Sequence, residues 1–206
     1  MFVKICGITN LADAEAAIVA GADALGFNFW PGSERYVEPA AAVPWIRELP
    51  DTISRVAVLV NPTPAYAKEI AAIGGVDCLQ LHGAEPPEFC LRLVEAQIPL
   101  WKAIPMTGRD MSLPDFHTNR LLLDTVVGTK FGGTGTSFPW SSACGLIVAN
   151  PAREFILAGG LNPENVAEAI NQARPFGVDV ASGVETRSGS KDIYRVRDFI
   201  SAARSV

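Results

Sequence analysis

The chain has 206 residues, 49% of them apolar and 19% charged, with a mean hydropathy of +0.21, a net charge of −5 and a pI near 5.1. That is enough apolar material for a sizeable core. The negative balance argues against a nucleic-acid or acidic-membrane partner, and no run approaches the roughly 18 apolar residues of a membrane helix. Four widely spaced cysteines, with no C-x-x-C pair and only two histidines beside them, argue against a zinc site. With no signal-type N-terminus, they point to a reducing cytoplasm.

One grammar recurs along the chain: a short apolar strand, a small or polar turn, an amphipathic helix. Strand 1 is Phe2–Cys6, and helix 1 follows from a cap at Thr9 or Asn10. Strand 2 is Ala24–Phe29, and a loop through Arg35 leads to helix 2, about Pro39–Leu49. Strand 3 is Arg55–Val60, and Pro62 and Pro64 open helix 3. Strand 4 is Cys78–Leu81, with helix 4 opened by Pro86 and Pro87. Strand 5 is Leu100–Ile104, and the crossover Pro105–Asn119 carries so little helical signal that it is expected to be short or irregular. Strand 6 is Arg120–Asp124, followed by a long loop, Thr125–Pro139, and a helix near Trp140–Ala149. Strand 7 is Glu154–Ala158, with a helix from about Pro163 to Ala173. Strand 8 is Gly177–Ala181, with a last helix from about Ile193 to Ala203.

Alternating strands and helices imply parallel pairing and right-handed crossovers. Strands apolar on both faces suit a sheet covered by helices. Eight rounds of about 26 residues close a barrel, so the expected fold is an α/β (β/α)8 TIM barrel forming a single domain over 1–206. No G-x-G-x-x-G follows strand 1, which agrees with the count against a Rossmann-like sheet.

In such a barrel the carboxyl ends of the strands face the active site. Cys6 ends strand 1; a lone Cys in an apolar strand is usually a small buried hydrophobe, so its position has to be weighed with its neighbours. Asp124 ends Leu121-Leu122-Leu123-Asp124, where the ordinary reading is a turn residue and the functional one a carboxyl held at the mouth. Glycine turns follow strand 7 (Gly159-Gly160) and strand 8 (Ser182-Gly183), the two loops that commonly form a phosphate site in these barrels. One such turn is ordinary punctuation; two in those rounds point to a phosphorylated small molecule. The glycine-rich loop Gly128–Thr136 reads as a lid over Asp124. Arg35 could pair bidentately with a substrate carboxylate. Lys4 lies on the same side of strand 1 as Cys6, facing the interior; buried there it needs a counter-charge, and Asp179 in strand 8 is the candidate.

These residues resemble the phosphoribosylanthranilate isomerase family of tryptophan biosynthesis. The resemblance runs through Lys4-Ile5-Cys6-Gly7-Ile8-Thr9, Gly26-Phe27-Asn28-Phe29, Ser33-Glu34-Arg35-Tyr36, Gln80-Leu81-His82-Gly83, Asp124 with Gly132-Gly133-Thr134-Gly135, Leu157-Ala158-Gly159-Gly160-Leu161, Val178-Asp179-Val180 and Ser182-Gly183-Val184-Glu185 with Lys191-Asp192. It implies an Amadori isomerase that needs no cofactor, with Cys6 as general base and Asp124 as general acid. It further implies Arg35 at the anthranilate carboxylate and a phosphate grip at Gly159, Gly160, Ser182 and Gly183, with Asp179 also counted among the substrate-binding positions. The family includes monomers and homodimers. A departure is Thr136-Ser137-Phe138-Pro139, where the family often has Lys-x-Phe-Asp.

Ordinary pKa values, about 8.5 for Cys and 3.9 for Asp, are the wrong way round for a base and an acid at neutral pH. Lys4 is expected to favour the Cys6 thiolate, and apolar surroundings to favour protonated Asp124. Two rival readings remain. One is another sugar-phosphate isomerase barrel, although the histidine-pathway isomerase resembles this chain with an Asp at the place of Cys6. The other is a barrel that binds a phosphorylated ligand without catalysis.

Overall fold

The computed structural model describes residues 1–106, 113–127, 130–131 and 139–206. Eight parallel strands close on themselves. They are β1 (Phe2–Cys6), β2 (Ala24–Asn28), β3 (Ser54–Leu59), β4 (Cys78–Leu81), β5 (Leu100–Met106), β6 (Arg120–Val127), β8 (Glu154–Leu157) and β9 (Gly177–Val180). A two-residue strand, β7 (Lys130–Phe131), pairs antiparallel with the end of β6. Around the ring the order is β5-β4-β3-β2-β1-β9-β8-β6, and β6 pairs back onto β5.

Among the described residues, seven helices cover the outside: α1 (Leu11–Ala20), α2 (Pro39–Ile46), α3 (Pro64–Ala72), α4 (Pro87–Glu95), α5 (Trp140–Ala149), α6 (Val166–Ala173) and α7 (Ile193–Arg204). Their starts follow local chemistry. The Asn10 side chain accepts from the Asp13 N–H, the Thr63 hydroxyl from the Tyr66 N–H, and the Asp192 carboxylate from the Tyr194 and Arg195 N–H groups. None of the described helices is long and apolar enough to cross a membrane.

Two apolar cores result. The larger lies between strands and helices and includes Val3, Ile5, Leu25, Leu79, Leu121 and Leu157. The smaller fills the barrel itself with Ala24, Val56, Cys78, Trp101, Leu122 and Ile156, partly closed below by Phe2. The Arg120 guanidinium sits against the rings of Phe2, Trp101 and Phe176 at that end. Alternation along each strand then lifts the next inward residues towards the mouth, which is how Lys4, Gln80 and Asp179 come to be buried inside an otherwise apolar stack.

The eight staves and their order match the sequence reading. Several boundaries do not. β6 continues past Asp124 to Val127 because β7 gives it a partner. Helix α6 begins at Val166, not Pro163, because the Asn162 side chain accepts from the N–H groups of Glu164 and Asn165 and holds the chain in a turn first. After β9 the chain makes a short 3-10 turn, Ser182–Val184, and a small hairpin of β10 (Glu185–Arg187) and β11 (Ser190–Lys191), neither of which was expected. Residues 113–119 of the fifth crossover form no helix. Apart from the backbone of β7, the expected lid lies outside the described residues.

Candidate active site

Cys6 is the last residue of β1, paired in register with Gly26 of β2. Its side chain shares the interior with Lys4, and only a glycine at 26 leaves them room. A Cβ there would stand 2.7 Å from Cys6 Sγ and 2.9 Å from Lys4 Nζ. Lys4 is fully buried, and its Nζ donates to Asp179 Oδ1 at 2.9 Å across the β1–β9 ladder, in which Lys4 and Asp179 are direct partners. The expected counter-charge is therefore present. Burial opposes the Lys4 charge, but Asp179 and then Cys6 outweigh it and hold Lys4 above the ordinary lysine value.

For Cys6 the balance falls the other way. Burial pushes the thiol up; Lys4 pulls it down and Asp179 pushes it up again, and the net direction is upward. Lys4 acts in the expected sense, favouring the thiolate, and desolvation is the larger, opposing effect.

Arg35 arrives from the loop after β2 and lies over Gly7, whose positive φ of 75° and missing Cβ admit the arginine stem. Its guanidinium is already held. Nε donates to Glu185 Oε1 at 2.9 Å and Nη2 to Oε2 at 2.7 Å, a two-bond grip on one edge of the fork. Nη1 makes no bond to Glu185. Lys191 completes this cluster, its Nζ donating to Glu185 Oε1 (2.8 Å), Cys6 O (2.6 Å) and Ala181 O (3.2 Å). One buried ammonium thus ties the ends of β1 and β9 to the hairpin. Burial pulls Lys191 below its ordinary value against the opposing carboxylate. Burial also raises Glu185, but Arg35 and Lys191 outweigh it and keep Glu185 below its ordinary value.

Asp124 reaches the mouth from β6. Oδ1 accepts the Thr125 N–H at 2.7 Å, and Oδ2 lies 3.0 Å from His82 Nε2. His82 stands just beyond β4, and its Nδ1 is 2.8 Å from Gln80 Nε2. β4 and β6 are separated by β5, so the contact between His82 and Asp124 crosses that strand. A buried pair fixes the loop that carries His82: Lys102 Nζ lies 3.0 Å from Glu85 Oε2 and donates to Gly83 O at 2.8 Å, while Glu85 accepts from the Gly83 and Asn61 N–H groups.

Between Asp124 and Cys6 around the ring lie β8 and β9 with their turns. Gly159 and Gly160 both have positive φ, 81° and 67°, and their N–H groups meet no acceptor among the described residues. A Cβ on Gly159 would stand 2.7 Å from Thr125 N and 2.9 Å from Asp124 Oδ1, so this turn packs on the carboxyl itself. Gly183 packs on the backbone of Leu161, which joins the two turns. The amide-rich turns lie on the arc between the two candidate groups and not opposite them. Among the described residues, no cluster of three or more His, Cys, Asp or Glu could hold a metal ion.

Each candidate residue therefore lies at one end of one barrel: Cys6, Arg35, Asp124, the two glycine turns and, a layer deeper, Asp179. A family model described as N-(5'phosphoribosyl)anthranilate (PRA) isomerase matches residues 3–202. The chain belongs to this family. It is 43% identical over 206 residues to the N-(5'-phosphoribosyl)anthranilate isomerase of Geobacter metallireducens, covering 98% of both chains. Among solved structures, it resembles a phosphoribosyl anthranilate isomerase in complex with reduced 1-(o-carboxyphenylamino)-1-deoxyribulose 5-phosphate, with a TM-score of 0.84, 39% identity and full coverage of both chains. It also resembles monomers generated from the dimeric enzyme of Thermotoga maritima, with a TM-score of 0.85, 40% identity and full coverage of both chains.

Sequence reasoning within the phosphoribosylanthranilate isomerase family gave no role to His82, Glu185, Lys191 or the Lys102–Glu85 pair. Lys102 carried the same signal as Lys4, a lone lysine in an apolar strand. His82 and Glu85 stand in the loop after β4, and Glu185 and Lys191 in a short hairpin, where the partner is set by tertiary structure.

Proposed function

We propose that this chain, acting as one barrel domain, converts N-(5-phosphoribosyl)anthranilate to 1-(2-carboxyphenylamino)-1-deoxyribulose 5-phosphate, with Asp124 as acid and Cys6 as base. Supporting this is the placement of a carboxyl and a thiol at one mouth, on β6 and β1, with glycine turns on the arc between them. Asp124 Oδ2 donates a proton to the furanose ring oxygen. The C1–O bond breaks and the anomeric carbon becomes a Schiff base. Cys6, as thiolate, takes the proton from C2, and the released electron pair forms the enolamine C1=C2. A proton added at C1 and one lost from the C2 hydroxyl then give the ketone, so the sum is an isomerisation.

The phosphate rests on the N–H groups of Gly159 and Gly160 and the turn Ser182-Gly183, which supply donors without a formal charge. Arg35 uses the edge bearing Nη1 for the anthranilate carboxylate, while Glu185 keeps the other edge in place. Asp179 serves the substrate indirectly by holding Lys4 beside Cys6. The deciding test is loss of anthranilate fluorescence on adding the purified protein to N-(5-phosphoribosyl)anthranilate, with the ketose phosphate identified by mass and by reduction. Turnover to that product supports the reading. Binding without turnover would favour a barrel that only holds a phosphorylated ligand.

A further inference from the structure

The acid has a chemical difficulty that Asp124 alone does not resolve. An ordinary carboxyl ionises near pH 4, yet the reaction asks it to deliver a proton in neutral solution. One of its oxygens, Oδ1, already accepts the Thr125 N–H. The remaining oxygen, Oδ2, faces an imidazole at 3.0 Å.

We infer that the proton delivered to the substrate is held jointly by Asp124 and His82, with Gln80 as the group that lets the ring change protonation. His82 is a positioning residue in this scheme, acting through Asp124. The inference rests on the assignment of Asp124 as acid and extends it.

The geometry of Gln80 carries the argument. Its side chain is fully buried in the barrel, its amide nitrogen lies 2.8 Å from His82 Nδ1, and its carbonyl oxygen has no partner among the described residues. A buried amide normally has both ends satisfied. Among the described residues this one is tethered at the ring alone, and an amide can present either its N–H or its carbonyl to Nδ1. Turning the amide over therefore breaks no other hydrogen bond. With the N–H towards the ring, Gln80 serves a bare Nδ1, and the ring offers its Nε2–H to the Asp124 carboxylate. With the carbonyl towards the ring, it serves an Nδ1–H, and Nε2 can share a proton with Oδ2. The second state has one proton more than the first. That proton is the one donated, passing from Oδ2 to the ring oxygen as the C1–O bond breaks. The pair is then left with the ring proton on Nδ1 and Nε2 bare beside the carboxylate; a proton from solvent taken up between Nε2 and Oδ2 restores the second state, whereas uptake at Nε2 with loss of the Nδ1 proton, as the amide turns over, gives the first.

Imidazole suits this work because its ordinary titration lies near neutrality, whereas that of an isolated carboxyl does not. Among the described residues, the other charges around this corner are already matched. Lys102 and Glu85 pair beneath the His82 loop, Lys4 and Asp179 pair across the β1–β9 ladder, and the turn 159–161 brings no charge. Cys6 is a further titrating group at the mouth among the described residues, on the far side of the β8 and β9 turns.

The test is the pH dependence of kcat/KM for the wild type, Asp124→Asn and His82→Asn. Asparagine keeps a donor towards Oδ2 and removes the titrating proton. In His82→Asn, one limb of the bell should move to lower pH by about one unit or more, with the other limb in place, and the maximum should fall by about tenfold or more. A fall in rate with both limbs unmoved would overturn the inference and leave His82 a purely structural residue. Should His82→Asn fail to fold, ring-nitrogen NMR of the histidine-labelled wild type decides, with His117 as the internal comparison. The His82 ring signals should change over the same pH interval as that limb; signals that stay constant across it would overturn the inference. Loss of activity in Asp124→Asn with unmoved limbs in His82→Asn would sink only the sharing of the proton. A wild type without turnover would sink the acid assignment with it.

Discussion

Gly26→Ala displaces the base without changing its chemistry. An added Cβ would stand 2.7 Å from Cys6 Sγ, which is 0.7 Å inside the 3.4 Å where ordinary contact begins, and 2.9 Å from Lys4 Nζ. Neither neighbour can retreat easily, because Lys4 is tied to Asp179 and Cys6 is the register partner of residue 26. Overpacking of a rigid interior costs about 1–3 kcal/mol. A smaller gain of about 0.4–1 kcal/mol comes from stiffening the unfolded chain. The net loss is therefore about 2.6 kcal/mol or less, against a typical domain stability of about 5–15 kcal/mol, and the variant should be folded at 25 °C. Catalysis is less forgiving: a misplacement of about 1 Å can cost about 10²-fold. We expect kcat to fall roughly 10- to 100-fold with KM changed little, since Arg35 and the phosphate turns are untouched. Steady-state fluorescence assays, run beside a urea denaturation curve, separate the two effects. A folded Gly26→Ala protein with kcat within about twofold of wild type would refute the reasoning, because the position of the thiol would then not matter.

Further expectations concern the charges around the mouth. Arg35→Ala should mainly raise KM for the anthranilate substrate, by removal of ground-state contact; an unchanged KM would show that Arg35 does not touch it. Asp179→Asn leaves a buried ammonium without its carboxylate and should cost about 3–5 kcal/mol in urea unfolding, and a loss below about 1 kcal/mol would contradict a buried, unhydrated Lys4. Because burial pushes the Cys6 thiol up, its alkylation by iodoacetamide, followed on the Cys6 peptide, should rise through a midpoint above the ordinary value of about 8.5. A midpoint below that value would mean that Lys4 outweighs desolvation after all.

How far the sequence could carry this depends on where each residue's partner comes from. Lys4 and Asp179 were legible as a pair because alternation turns Lys4 inward and barrel closure makes the first and eighth staves neighbours; both are consequences of strand periodicity. Cys6, Asp124 and the glycine turns were legible as strand-end residues for the same reason. His82 was visible only as part of a motif, since its contact with Asp124 crosses β5 and is set by barrel closure rather than by local spacing. Glu185 is set against Arg35 by a hairpin of two- and three-residue strands, too short to show any alternation. The start of α6 moved because an asparagine side chain competes with helix formation locally, and that competition is decided by geometry that Pro163 alone does not reveal.

The division of labour between thiol and carboxyl is tested most directly by the kinetics of Cys6→Ala and Asp124→Asn with substrate affinity measured alongside. Each should lower kcat by at least about 100-fold while KM stays near the wild-type value and the product analogue still binds. Near-normal turnover in either protein would contradict the assignment of base and acid.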